Sequence, residues 1–219
     1  MSKRNLNKVQ KSAVESFGEP ILIFAGAGSG KTRVLTHKIA HLIEKDLVPA
    51  PNILAVTFTN KAAQEMKLRV SNLLKDKNTS VNLGTFHSIC ARILRREIHH
   101  LGYNADFSIF DVKDQVSLVK VILDAMDIPK NYVTPQEVRH KISYFKNKLI
   151  HPQEAQSKAQ LVIEKTYADI YKNYQKALFE NNALDFDDLL ILPLQLFEKN
   201  PKVLEQYRQD WKYILVDEY

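Results

Sequence analysis

EPILIFAGAGSGKT, residues 19–32, is the stretch from which the fold of this chain is read. Its first part, Ile21-Leu22-Ile23-Phe24-Ala25, is a short apolar run that predicts a strand buried on both faces of a parallel sheet. The run breaks into Gly26-Ala27-Gly28-Ser29-Gly30 and then Lys31-Thr32. A helical stripe of Leu35, Ile39, Leu42 and Ile43 follows at once. Strand, glycine loop, Lys-Thr and helix together predict a phosphate cradle. Glycine reaches backbone angles closed to other residues, so successive N–H groups can turn inward. The helix N-terminus adds unpaired donors and a partial positive charge. Lys31 can reach the β- and γ-phosphates of a nucleotide, and the Thr32 hydroxyl can ligate Mg²⁺. One position departs from the general pattern: Ala25 stands where it has glycine.

Outward from this stretch the α/β rhythm continues. Residues 52–57 (NILAVT) and 81–85 (VNLGT) predict buried strands, each followed by a polar junction and a helical stripe. The first stripe is Ala63, Met66, Val70 and Leu73; the second is Cys90, Ile93, Leu94 and Ile98. Phe107 to Phe110 predicts a fourth strand. Strands alternating with helices imply right-handed crossovers and a parallel sheet covered on both faces. Upstream, Asn7 to Phe17 predicts a short helix with Val9, Ala13, Val14 and Phe17 inward, opened by an Asn7/Gln10 capping box.

From Asp111 to about Asn200 the signals are almost all helical. Asp111 and Thr134-Pro135-Gln136-Glu137 supply helix starts, a long helix spans roughly 158–180, and Asp185-Phe186-Asp187-Asp188 opens another that Pro193 interrupts or kinks. The α/β pattern returns at Tyr213-Ile214-Leu215-Val216, which ends in Asp217-Glu218. The expected organisation is therefore an α/β domain over residues 1–110, an inserted all-helical subdomain over 111–198, and a return to the first domain over 199–219. An apolar strand ending in two carboxylates suits the second half of a phosphate site, Asp217 supporting Mg²⁺ and Glu218 polarising the attacking water. The bland alternative is an acidic pair after an edge strand. Because the chain stops just after that pair, it is expected to be a fragment of a longer protein.

Composition sets outer limits. The chain has 219 residues, 45% of them hydrophobic, enough for a sizeable core. No run approaches the roughly 18 apolar residues of a membrane span, and no secretory signal opens the sequence, which fits the cytoplasm and no membrane partner. A single cysteine, Cys90, excludes an internal disulfide and any multi-cysteine metal site. A net charge of +6 is compatible with a polyanion. His99-His100 lacks partner ligands at metal spacing in the sequence and reads as surface, and Arg92, Arg95 and Arg96 as a solvated helix face.

Four segments resemble UvrD/PcrA/Rep-type superfamily 1 DNA helicases. Leu6-Asn7-Lys8-Val9-Gln10 is similar to the family's Q motif, and Ala25 through Arg33 to its first helicase motif, where alanine is common at the position of Ala25. Residues 57–63 (TFTNKAA) and 84–88 (GTFHS) resemble motifs Ia and Ib. Residues 184–189 (LDFDDL) match a recurrent family segment, and Val216-Asp217-Glu218-Tyr219 the start of motif II. The resemblance implies a P-loop NTPase of RecA-like fold with a helical insertion. It implies ATP and Mg²⁺ as cofactors, with Gln10 reading the adenine edge, Arg33 stacking on the base, and Ala25, Gly26, Ala27, Gly28, Ser29, Gly30, Lys31 and Thr32 forming the nucleotide loop. Thr32 and Asp217 would support Mg²⁺, and Lys31 and Glu218 would be catalytic. Phe58, Thr59, Asn60, Thr85 and His87 would contact single-stranded DNA: an aromatic face stacks on a base without reading it, and hydroxyl, amide and imidazole groups donate to phosphates. From position alone Phe58 is as well a core aromatic, and His87 a helix cap. The implied activity is ATP-driven 3′-to-5′ translocation on single-stranded DNA and unwinding at a single-strand/duplex junction. A second RecA-like domain of the same protein would complete the site, so that this segment alone binds but hydrolyses little. Two other classes compete: a binding module without turnover, and an unrelated P-loop NTPase.

Overall fold

A computed structural model describes residues 6–26, 28–75, 80–129 and 131–218. The chain divides into two compact units, one built from Met1–Ile89 with Lys202–Tyr219, the other from Cys90–Pro201. It is a mixed α/β protein with a small parallel sheet and many helices.

In the first unit, α1 (Lys8–Glu15) and α2 (Lys31–Glu44) precede β1 (Ile53–Thr57), α3 (Asn60–Leu74) and β2 (Asn82–Thr85). The helix α4 (Phe86–Glu97) begins here and runs on into the second unit. The return segment supplies α10 (Pro201–Asp210) and β5 (Tyr213–Val216). The sheet has the order β2-β1-β5 and is parallel throughout, Val56 lying opposite Gly84 on one side and Val216 on the other. Every residue of β1 is buried, as its unbroken apolar run requires of a central strand. Ile53 and Ala55 pack with Ile39 and Leu42 of α2, Met66, Val70 and Leu74 of α3, and Leu215. The end of α10 is tied to the start of β1, since Asn52 Nδ2 donates to the Asp210 carbonyl at 2.6 Å and Lys212 N to the Asn52 carbonyl at 2.9 Å.

Three expectations are corrected in this unit. Residues 21–25 form no strand: they lie in irregular backbone, with Leu22 60% and Phe24 89% exposed. An apolar run becomes a buried strand only where a neighbour completes its ladder and layers cover its faces, and among the described residues this run has neither. Nor is the sheet covered on both faces at β5, where Leu215 is buried while Ile214 and Val216 are exposed, the alternation of a strand packed on one side. Finally, α1 turns Val14 inward but leaves Val9 and Phe17 exposed; it ends at Glu15, before a stripe that long could close.

The second unit continues with β3 (Ser108–Phe110), α5 (Val112–Ala125), α6 (Pro135–Asn147), α7 (Pro152–Lys158), α8 (Val162–Glu180), β4 (Ala183–Asp185) and α9 (Phe186–Lys199). Helices start at Asp111, Thr134 and Asp185 as expected, and all three starts are capping boxes, of which the sequence reading names only the one at Thr134. The strand expected at 107–110 is present but belongs to a separate two-stranded sheet, where β3 pairs in parallel with β4. The long helix expected over roughly 158–180 is α8, a single helix from Val162 to Glu180, with the short α7 ending at Lys158 before it. Pro193 does not interrupt α9, which runs through it with the proline ring buried. Val119, Val138, Ile142, Ile170, Tyr174 and Leu178 form the larger core of this unit, and Leu94, Ile98, Phe107, Leu184 and Leu189 a second.

Candidate nucleotide and nucleic-acid site

The parallel sheet of the first unit brings its functional candidates to one end. Phe58-Thr59-Asn60 follows the carboxyl end of β1, Thr85 is the last residue of β2 with His87 just beyond it, and Asp217-Glu218 follows β5; Thr57 is in register with Thr85. In open α/β sheets this is the end at which ligands sit.

The glycine loop meets α2 at Gly30, whose φ of +91° is left-handed and costs a glycine nothing. A Cβ at Gly30 would lie 3.2 Å from Nε2 of Gln10. That contact reflects a link between the two segments, since Gln10 Nε2 donates to the Ser29 carbonyl at 3.0 Å. At the same time Gln10 Oε1 accepts from Asn7 N–H at 3.1 Å, and Gln10 N–H donates to Asn7 Oδ1 at 2.8 Å. The capping role and the approach to the loop are thus carried by different atoms of one amide. Lys31 Nζ donates to the Ala25 carbonyl at 2.8 Å, curling back over the loop, and Ser29 Oγ donates to the Gly26 carbonyl at 2.6 Å. Arg33 is half-buried on the first turn of α2. Ala27, and Tyr219 beyond the acidic pair, lie outside the described residues.

Asp217 is 6% exposed, its N–H donating to the Val56 carbonyl at 2.9 Å. Thr32 Oγ1 donates to Asp217 Oδ2 at 3.4 Å, so the loop and the end of β5 meet across 185 positions of sequence. Burial raises the Asp217 pKa, and the Glu218 carboxylate raises it further; the Thr32 hydrogen bond and the Lys31 charge pull it back. Glu218 is exposed, with φ at +63°, a left-handed conformation that costs a non-glycine residue roughly 1–3 kcal/mol.

Of the candidates for nucleic-acid contact, Phe58 is 68% exposed and so is not a core aromatic. Thr59 caps α3, its Oγ1 accepting from Ala62 N–H at 3.1 Å, and Asn60 is exposed on the first turn. Thr85 is buried, and its Oγ1 accepts from Ser88 N–H at 3.2 Å. His87 is half-buried in the first turn of α4.

A sequence profile of the UvrD/REP helicase N-terminal domain matches residues 6–219. This chain belongs to that family. Among curated relatives it is 47% identical over 214 residues to the ATP-dependent DNA helicase PcrA of Bacillus subtilis (strain 168), covering 98% of this chain and 29% of that protein. It is 46% identical over 216 residues to the PcrA helicase of Staphylococcus epidermidis, covering 99% of this chain and 30% of the relative. The chain therefore spans less than a third of the length of these relatives.

Two buried lysines of this UvrD/REP-family domain escaped the sequence reading. Lys38 of α2, in the first unit, donates to the carbonyls of Ser16 and, at 3.3 Å, Ala13, closing the end of α1, and its ammonium lies 5.7 Å from the Tyr213 ring centre. Burial lowers its pKa. In the second unit Lys146, only 1% exposed, lies 2.7 Å from Asp185 Oδ2 and 2.8 Å from Asp188 Oδ1, and Tyr174 Oη donates to Asp185 Oδ2 at 3.1 Å. A signal was available for Lys146. It stands at the fourth-residue spacing after Val138 and Ile142, on the apolar stripe of α6, where a lysine needs a buried carboxylate. Lys38 is surrounded by the stripe of α2 in the same way, but its acceptors are backbone carbonyls, which leave no mark in sequence.

Proposed function

We propose that this chain is the ATP-binding portion of an ATP-dependent DNA helicase that moves 3′ to 5′ along single-stranded DNA. In this reading residues 1–110 and 199–219 form a RecA-like ATP-binding domain, and 111–198 a helical insertion. A second RecA-like domain of the same protein closes on the nucleotide, and the whole works at a single-strand/duplex junction. Alone, the chain binds nucleotide and DNA but hydrolyses little, because the charge-neutralising groups of a closed site come from elsewhere.

The observation that carries the reading is the approach of Thr32 Oγ1 to Asp217 Oδ2 at the mouth of the glycine loop. A hydroxyl and a carboxylate are hard oxygen donors, which suit Mg²⁺ bound by one or two protein groups together with phosphates. Thr32 and Asp217 would hold that ion, and when bound it would neutralise charge on the β- and γ-phosphates. Lys31 leaves the Ala25 carbonyl to take phosphate oxygens, and the glycine-loop and α2 N–H groups bind the rest. Glu218 orients the attacking water and accepts its proton. Gln10, already against the loop, reads the adenine edge, and Arg33 stacks on it. Exposed Phe58 stacks on a base, and Thr59, Asn60, Thr85 and His87 contact the DNA backbone.

In the full-length protein, Lys31→Ala abolishes DNA-stimulated ATPase while leaving the far-UV circular dichroism unchanged. Retained turnover in this variant rules out the nucleotide assignment. For the isolated chain, fluorescent nucleotide binds in an Mg²⁺-dependent manner lost in Lys31→Ala, and labelled single-stranded oligonucleotide binds with an affinity that falls with salt. DNA-stimulated hydrolysis by the chain alone, at a helicase's rate, contradicts the need for a second domain.

A further inference from the structure

Among the described residues one group of three metal-capable side chains converges outside the nucleotide site: Glu97, His99 and His100, in the second unit. Their ligand atoms all lie within 4.8 Å of one another. In sequence the two histidines have no third donor at a recognised spacing. The structure supplies one, because α4 ends at Glu97 and the chain tightens at once into a 3₁₀ turn, Ile98–Leu101. The two adjacent imidazoles and the carboxylate come together at this junction. Their ring centres are 4.1 Å apart, and His100 Nε2 lies 3.9 Å from Glu97 Oε2, too far for a hydrogen bond.

We propose that Glu97, His99 and His100 bind a divalent transition-metal ion of the zinc class. Two imidazoles and one carboxylate are a borderline-soft donor set that selects Zn²⁺, Ni²⁺ or Cu²⁺ over Mg²⁺. The site is thereby chemically separate from the all-oxygen pair Thr32 and Asp217. Donors around a tetrahedral zinc are about 3.3 Å apart, given Zn–N and Zn–O bonds near 2.0–2.2 Å. The donors, at up to 4.8 Å, stand wider than that and draw together as the ion binds. The backbone that carries the ligands is already held. Ile98 is buried in the core beside Leu94 and Phe107, and Gly102, with φ at +86°, ends the turn by donating its N–H to the His99 carbonyl at 3.1 Å. Glu97 is the sheltered member, its side chain 13% exposed beside more open histidines, so a bound ion keeps water in its remaining positions. Arg95 does not compete for the carboxylate: it donates to the Ala105 carbonyl at 2.7 Å, and its guanidinium lies 3.7 Å from the Phe107 ring centre. With three ligands, affinity on the order of micromolar is expected. A bound ion ties the last turn of α4 to the segment that follows.

The test is calorimetric titration of the chain with ZnCl₂ in an Asp217→Asn background, which removes the oxygen-donor site. The expected result is one Zn²⁺ per chain, weakened at least tenfold by His99→Ala or His100→Ala and several-fold by Glu97→Gln, with His140→Ala unchanged as the control. A readout on the unsubstituted chain accompanies it: Zn²⁺ shifts the imidazole proton resonances of two histidines of the seven. Unaltered affinity in the His99→Ala/His100→Ala double variant overturns the proposal, as does the absence of binding at millimolar Zn²⁺. Neither outcome bears on the ATPase measurement with Lys31→Ala.

Discussion

Asp188 sits fully inside the second unit, sharing the ammonium of Lys146 with Asp185. Two carboxylates and one ammonium leave the cluster one negative charge in excess where water does not reach. The least costly remedy is a proton on one acid. Burial pushes Asp188 up to about 6, and the neighbouring Asp185 charge adds to the rise, against the pull of Lys146. Because this acid is raised on folding, its contribution to stability is fully present below its ordinary value of 3.8 and is lost as pH rises through about 6. Asp188→Asn, which cannot ionise, is therefore expected to flatten the pH dependence of the urea midpoint across that interval; an unchanged slope contradicts the assignment. Lys146→Met does the opposite chemistry: it strands two buried carboxylates without a cation and is expected to cost about 3–5 kcal/mol in urea unfolding at neutral pH. A loss below 1 kcal/mol would mean that the acids find water. That such a lysine stood on the apolar stripe of α6 was visible in the sequence; which acids it meets was not, because Asp185 lies 39 positions away.

Among elements, α1 depends on a neighbour. It is an eight-residue helix, too short to persist by itself in water. Its start is closed by its own capping box and its end by the Lys38 ammonium of α2. Since α1 carries Gln10, Lys38 sets where that amide meets the glycine loop. Lys38→Met keeps the stem packed but leaves the Ala13 and Ser16 carbonyls without the donor, and is expected to loosen α1 by about 1–3 kcal/mol. Hydrogen exchange of residues 8–15 reads this directly; protection equal to the parent chain rules it out. Helix starts such as Asp111, Thr134 and Asp185 were legible because a cap is written within four residues. The pairing of β3 with β4 was not, since three-residue strands carry no period and their partners lie 75 residues apart in register. The composition of 21–25 is that of a strand, but a strand is defined by its neighbours, and composition does not say whether they are there.

For the molecule as a whole, the same run leaves Ile21, Leu22, Ile23 and Phe24 exposed, in a unit whose β5 also exposes Ile214 and Val216. Apolar surface of this kind attracts hydrophobic probes and other chains. The folded chain is expected to bind an apolar fluorescent dye, and Leu22→Ser with Phe24→Ser to lower that signal severalfold without altering the circular dichroism. An unchanged signal would place the dye elsewhere. The carboxyl-end grouping of Phe58, Thr59, Asn60, Asp217 and Glu218 was legible in outline, because each follows a strand. The orientation of the Thr85 hydroxyl into a cap was not, since burial depends on the packed neighbours of β2.

The sheet order carries one more consequence, for the nascent chain. β5 is made about 160 residues after β1, its partner in the sheet, yet the unit between them is contiguous. As the polypeptide leaves the ribosome, residues 90–201 are complete and free to fold while the first unit still lacks the strand that places Asp217 beside Thr32. The meeting of Thr32 with Asp217 is therefore a late event in the folding of this chain, and protease resistance of stalled chains should arise first in the second unit.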